Sequence, residues 1–262
     1  MDIPIYQVDA FAGEIFKGNP AAVCPLEDYL PDNTLQSIAQ ENNLSETAFF
    51  LKESDAYGLR WFTPGSEVKL CGHATLATAH VLYSELGYQA PELTFQTLSG
   101  KLFVKKTGSD QYQMNFPLTE TKYCEPPEGL VEALGKTPLE VFRSGEDVYA
   151  VYDSQEVVES LDPDMFALLN IDACGIGITA LGERGIDFVS RFFAPRLGIP
   201  EDPVTGSAHC SIAPYWSKKL GKTEFRAKQV SSRGGYLDLQ ITGDRLLISG
   251  QARTYLKGCI YI

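Results

Sequence analysis

The chain is written nearly twice. Arg60-Trp61-Phe62-Thr63-Pro64 leads into Gly72-His73-Ala74 and a run that closes at Gly87. Arg191-Phe192-Phe193-Ala194-Pro195 leads into Gly206-Ser207-Ala208 and a run that closes at Gly221. Both glycine-to-glycine intervals are 15 residues, and the two arginine strings lie 131 positions apart in a chain of 262. A duplicated unit predicts two similar halves, and a cleft between such halves is a favoured place for a ligand. Length alone allows one large domain or two ordinary ones; the repeat favours two.

The two helices that the repeats open constrain the fold further. From Cys71 to Ser84 the ionisable side chains are a thiol, two histidines and a tyrosine, and from Thr205 to Ser217 there is no formal charge. A helix over 73–86 and another over 205–220 therefore lack a polar face, and a helix that is apolar all round must be surrounded by protein. Strand patterns flank them at 2–10, 21–24, 45–51, 57–63, 92–97, 101–106 and 111–116, then at 139–143, 147–152, 174–181, 186–193, 224–230, 236–241, 245–250 and 253–261. Asp32 is placed to cap a helix running to Asn42. The class is α+β, with two pseudo-symmetric lobes, each a barrel-like, mostly antiparallel sheet around one buried helix. The proline-rich stretch after Thr119 marks the join. It gives an N-terminal lobe of 1–118, to which a strand at 253–262 returns, and a C-terminal lobe of 119–252.

A formal charge of −12 and a pI near 4.7 argue against nucleic acid or an anionic membrane as partner. No run reaches the length of an uncharged membrane helix, and MDIPIYQVDAF is not an export signal, so a cytoplasmic protein is expected. Six scattered cysteines without C-x-x-C spacing read as reduced thiols. His73 and His80 lack an evident third ligand, so no metal is expected. Phosphate-loop, nucleophile-elbow and dinucleotide fingerprints are missing, which makes cofactor-free chemistry the default.

Gly72 and Gly206 each stand at the first turn of a buried helix. Unpaired N–H groups there, small residues and the helix dipole favour a carboxylate, although each glycine also suits a plain strand-to-helix turn. Asn43-Leu44-Ser45-Glu46-Thr47-Ala48-Phe49 puts a carboxylate at the mouth of an apolar strand, where Glu46 shares a face with Ala48 and Phe50. Inward, such a carboxylate needs a partner or a function; outward, it is a solvated strand end. His73 reads as a site residue or a core histidine, and Glu201-Asp202 as site groups or an acidic helix cap.

The strings Asn43–Phe49, Arg60–Pro64, Cys71-Gly72-His73-Ala74-Thr75 and Glu201-Asp202-Pro203-Val204-Thr205-Gly206-Ser207-Ala208, with Gly18-Asn19-Pro20, resemble the signatures of the PhzF (phenazine biosynthesis-like) family across the whole chain. The resemblance implies a diaminopimelate epimerase-like fold, no cofactor, and a homodimer. It implies Glu46 as general acid/base, His73 and Asp202 as site residues assisting proton transfer, and Gly72, His73, Gly206 and Ser207 as holders of a small carboxylate substrate. Cys71 stands where related racemases carry one of two thiols, but Asp202–Ser207 offers no second one. Pro214 should kink the second helix. Three functions follow: a single-carboxylate isomerase, a thiol-based racemase or epimerase using Cys71, and a small-acid binding protein without turnover.

Overall fold

A computed structural model describes residues 1–262. The fold is α+β, and the chain divides into two compact units: residues 1–115 with 248–262, and residues 116–247. No helix is long and apolar enough to cross a membrane.

The first unit runs β1 (Asp2–Ala10), β2 (Asn19–Pro25), α1 (Asp32–Asn42), β3 (Glu46–Glu53), β4 (Ala56–Phe62), β5 (Glu67–Val68), α2 (Gly72–His80), β6 (Glu92–Thr97), β7 (Gly100–Gly108) and β8 (Gln111–Pro117). Strand β1 is antiparallel to β2, β2 parallel to β3, β3 antiparallel to β4, β4 parallel to β6, and β6 antiparallel to β7, which pairs with β8. The last strand of the chain, Arg245–Tyr261, pairs with both β8 and β1 and closes the ring into a barrel. Helix α2 packs on β1, β2 and β3, and every residue from His73 to His80 is buried. The helix ends in a π-helical turn, Val81–Glu85, in place of the straight run to 86 that the sequence predicts.

The second unit runs β9 (Lys122–Tyr123), α3 (Leu130–Leu134), β10 (Glu140–Ser144), β11 (Asp147–Val151), α4 (Gln155–Ser160), α5 (Met165–Leu168), β12 (Ile176–Leu181), β13 (Phe188–Ala194), β14 (Ile199–Asp202), α6 (Gly206–Leu220), β15 (Glu224–Gln229), β16 (Gly235–Thr242) and the start of β17 (Arg245–Tyr261). From β10 its pairings are antiparallel to β11, parallel to β12, antiparallel to β13, parallel to β15 and antiparallel to β16. That is the order found from β1 to β7, so the sequence repeat is a repeat of topology. Helix α6 is tied to its sheet at three strands. Ser211 Oγ donates to Ser144 Oγ of β10, Trp216 Nε1 to Thr179 Oγ1 of β12, and His209 Nε2 lies 3.5 Å from Ser190 Oγ of β13.

The repeated arginine string has a structural meaning. Arg60 grips Glu67 with two hydrogen bonds of 2.7 and 2.8 Å and lies 5.1 Å over the Phe62 ring. Arg191 grips Glu201 at 2.7 and 3.1 Å and lies 5.0 Å over Phe193. Each forked pair clamps a short strand, β5 or β14, across its hairpin, a geometry that only the planar guanidinium supplies.

Two local expectations change. Asp32 is the first residue of α1, not its cap, and its carboxylate accepts from Arg60. β17 is one strand where two were expected, because Gly250 makes room for a ring and does not break the strand: a Cβ there would lie 2.4 Å from Phe11 Cδ1. Pro214 sits inside α6, and the carbonyl it leaves unpaired, Cys210 O, accepts from Thr119 N at 3.1 Å.

Candidate active site

Helix α1 stops at Asn42, and Asn43 takes a left-handed conformation (φ 49°), which an asparagine adopts more readily than most residues. The chain turns there and enters β3 at Glu46, whose backbone lies beside Ala21 of β2. β2 itself begins at Asn19. The preceding Gly18 has φ +64°, and a Cβ on it would sit 2.1 Å from Ala10 O, so no other residue fits. Cys71 is extended and leads into α2, whose second residue is His73.

These elements bring Glu46, Cys71, His73 and Asn19 together, all buried. His73 Nε2 lies 3.0 Å from Glu46 Oε2. The carboxylate and the imidazole face each other at ion-pair distance, and both of these atoms are buried. On the other side of the ring, Asn19 Nδ2 is 3.2 Å and Cys71 Sγ 3.5 Å from Nδ1, and Ser45 Oγ donates to Asn19 Oδ1 at 3.3 Å. Burial disfavours charge on His73, while Cys71 and then Glu46 favour it, and the balance lies above the ordinary histidine range. The Cys71 share belongs to its thiolate, but burial and Glu46 push that thiol up to about 11, so it stays protonated at neutral pH.

Glu46, Cys71 and His73 are also the metal-type donors that cluster, with one atom from each within 4.8 Å of the others. The donor set fits a metal poorly. Nδ1 already receives the Asn19 N–H, and Nε2 faces the carboxylate. His80, the other half of the sequence pair, is a satisfied core histidine: Nδ1 meets Tyr112 Oη and Nε2 meets Thr254 Oγ1, both at 3.0 Å.

In the second unit, Asp202 ends β14 and Gly206 opens α6. Thr205 Oγ1 donates to Asp202 Oδ2 at 2.5 Å. Fully buried Gln229 holds this loop from β15: its Oε1 accepts from Thr205 N, and its Nε2 donates to Asp202 O and Thr205 Oγ1. No side chain caps either α2 or α6, so the leading N–H groups of both helices keep their capacity for an anion. Ser207 is exposed at the start of α6. Glu201, read in the sequence beside Asp202, belongs to the Arg191 clamp.

Two residues of these networks escape sequence reasoning. Asn19 lies in Gly18-Asn19-Pro20, which reads as a turn, and Gln229 ends an ordinary strand pattern. A polar residue at a strand terminus beside a required glycine is the signal that marks Asn19; Gln229 carries none.

A model of the phenazine biosynthesis-like protein family matches residues 8–258. An uncharacterized isomerase of Pseudomonas aeruginosa is 49% identical over 262 residues, covering 100% of both chains. The crystal structure of a PhzF-family phenazine biosynthesis protein from Enterococcus faecalis matches with a TM-score of 0.96 at 46% identity, covering 100% of both chains. A probable proline racemase from Agrobacterium radiobacter K84, solved with bound carbonate, shares the fold: TM-score 0.61 at 12% identity, covering 99% of this chain and 93% of that one. In sequence and in structure alike, this chain belongs to the phenazine biosynthesis-like (PhzF) family.

Proposed function

We propose that the chain is a cofactor-independent isomerase that moves a proton between carbons of a small carboxylic acid, with Glu46 as the acid/base. The observation that carries this reading is the buried carboxylate–imidazole pair, Glu46 Oε2 facing His73 Nε2 at 3.0 Å. A buried acid and base 3.0 Å apart, with no other hydrogen-bond partner on either facing atom, suit groups that handle a substrate proton. The Glu46 carboxylate takes a proton from one carbon of the acid and returns it to another, and His73 steadies the carboxylate before the first transfer and after the second. Gly72, Gly206 and Ser207 are assigned to the acid's carboxylate through the N–H groups of the helix starts. Asp202, held by Thr205, is assigned to substrate orientation and proton transfer. The isomerase name of the Pseudomonas relative is in keeping with this class of reaction.

A thiol racemase is the second reading, favoured by the position of Cys71 at a helix start. The high proton affinity of that thiol weighs against it, as does burial of Cys210, the nearest thiol along α6, which is pushed up to about 12. Incubating the protein in D2O with a panel of small unsaturated and amino carboxylates distinguishes the readings. Deuterium should enter a ligand carbon with wild type and with Cys71→Ser, and not with Glu46→Gln. Undiminished exchange by Glu46→Gln would overturn the assignment; loss with Cys71→Ser alone would install the racemase. Binding without exchange by any form would identify a binding protein.

A further inference from the structure

Asn19 is fully buried, and its position leaves little freedom. Gly18 before it is sterically required, Pro20 after it restricts its backbone, and Ser45 Oγ donates to its Oδ1. The amide nitrogen is thereby turned to His73 Nδ1, 3.2 Å away. An amide NH2 can only donate. Nδ1 must then accept, and the single proton of the neutral ring resides on Nε2, the atom 3.0 Å from Glu46 Oε2. The other neighbour of Nδ1, the protonated Cys71 thiol at 3.5 Å, can offer its S–H to the same nitrogen.

We propose that Asn19 is a positioning residue: when the His73 ring gives up its second proton, it gives up the one on Nδ1, so that Glu46 still faces a donor on Nε2. Its meaning for catalysis rests on the acid/base reading above. A carboxylate that has just handed its proton to a carbon would then be met by an N–H and not by a lone pair, which would repel it. The same molecule carries an opposite reference. His209 Nδ1 lies 2.8 Å from Thr205 O, and a carbonyl can only accept, so the proton of that ring is on Nδ1.

The test reads proton position, not turnover, and so stands or falls independently of the isomerase reading. The full chain, labelled with 15N in its three histidines, is titrated until the rings are neutral, with signals assigned through His80→Gln and His209→Gln. In wild type His73 should show the Nε2–H pattern of ring 15N shifts, and His209 the reverse. Asn19→Asp keeps the shape and replaces the donor by an acceptor. It should invert the His73 pattern and leave His209 unmoved. Asn19→Leu should leave His73 as a mixture of both forms; should it fail to fold, the aspartate variant carries the test. A wild-type His73 protonated on Nδ1, or an Nε2–H pattern unchanged by Asn19→Asp, would overturn the proposal.

Discussion

Cys71-Gly72-His73 and Thr205-Gly206-Ser207 open helices of one kind in units of one strand order, yet their surroundings differ in polarity and in bonding. Around the first, a buried carboxylate and a buried imidazole face each other 3.0 Å apart. Around the second, Asp202, Thr205 and Gln229 bond one another in a closed network. The histidines of the two helices diverge in the same way. His73 is drawn above the ordinary range beside Glu46, while burial, only partly offset by the Thr205 carbonyl, holds His209 down to about 4. Strand register locates the divergence. Phe49 pairs with Arg60 and Ile178 with Arg191, so three residues back from each lie the matched positions Glu46 and Gly175. A Cβ on Gly175 would sit 2.1 Å from Phe192 Cζ and 2.9 Å from Asp147 Oδ1. An aromatic ring fills the space that a second acid/base would need. Duplication kept the scaffold and its arginine clamps, and only one copy has room for the carboxylate.

The largest effect should come from Glu46→Gln, which removes the base without changing its shape. Carbon–deuterium exchange should fall by at least about 10²-fold, with the thermal midpoint close to wild type. The clamps come next. Arg191 also donates to the carbonyls of Val158 and Leu161, whereas Arg60 adds the exposed Asp32 and a place 5.6 Å over the Tyr29 ring. Arg191→Met should cost about 3 kcal/mol and Arg60→Met about 1–2 in denaturant titrations; equal losses would mean that the extra carbonyls contribute nothing. Gly175→Ala should cost about 1–3 kcal/mol through the forced movement of Phe192, whereas Glu46→Ala should not lower stability comparably. A Gly175→Ala protein as stable as wild type would show that the ring yields easily.

The smallest effect is on the acid side of the stability profile. His209 has a depressed folded pKa, so as pH falls below about 6.5 the unfolded chain takes up a proton that the folded chain refuses until about 4. Stability is lost through that window, by about 1 kcal/mol at pH 5.5, and His209→Gln should flatten the loss. Asp147, raised by burial to about 6, acts in the opposite sense, because the folded form binds its proton first. Asp147→Asn should steepen the profile. Denaturant midpoints between pH 7 and 5.5 check both.

Much of this could be read from the chain because uncharged helices and the repeated arginine string are physical statements in themselves. Glu46 is a more instructive case. Alternation along β3 pointed it inward, yet all five residues from Glu46 to Phe50 are buried, since α1 and α2 both pack on that strand. The conclusion was right, but alternation could not have discriminated it. Partnerships were out of reach altogether. Nothing in Gly18-Asn19-Pro20 says that its amide meets a histidine 54 residues on, and nothing in Gln229 says that it will clasp a loop 24 residues back. Such contacts are decided by register and by turns, which hydrophobic pattern specifies only to within a residue or two.

β17 has one more consequence. It belongs to the second unit at Arg245–Leu247 and to the first from Ile248 onward. On the ribosome, then, the N-terminal barrel is missing a stave until residues 248–262 have been made, with β1 and β8 waiting on either side of the gap. The unit that is second in sequence is free to finish first. Synthesis order and completion order are reversed, and the earliest strands spend longest exposed as open edges.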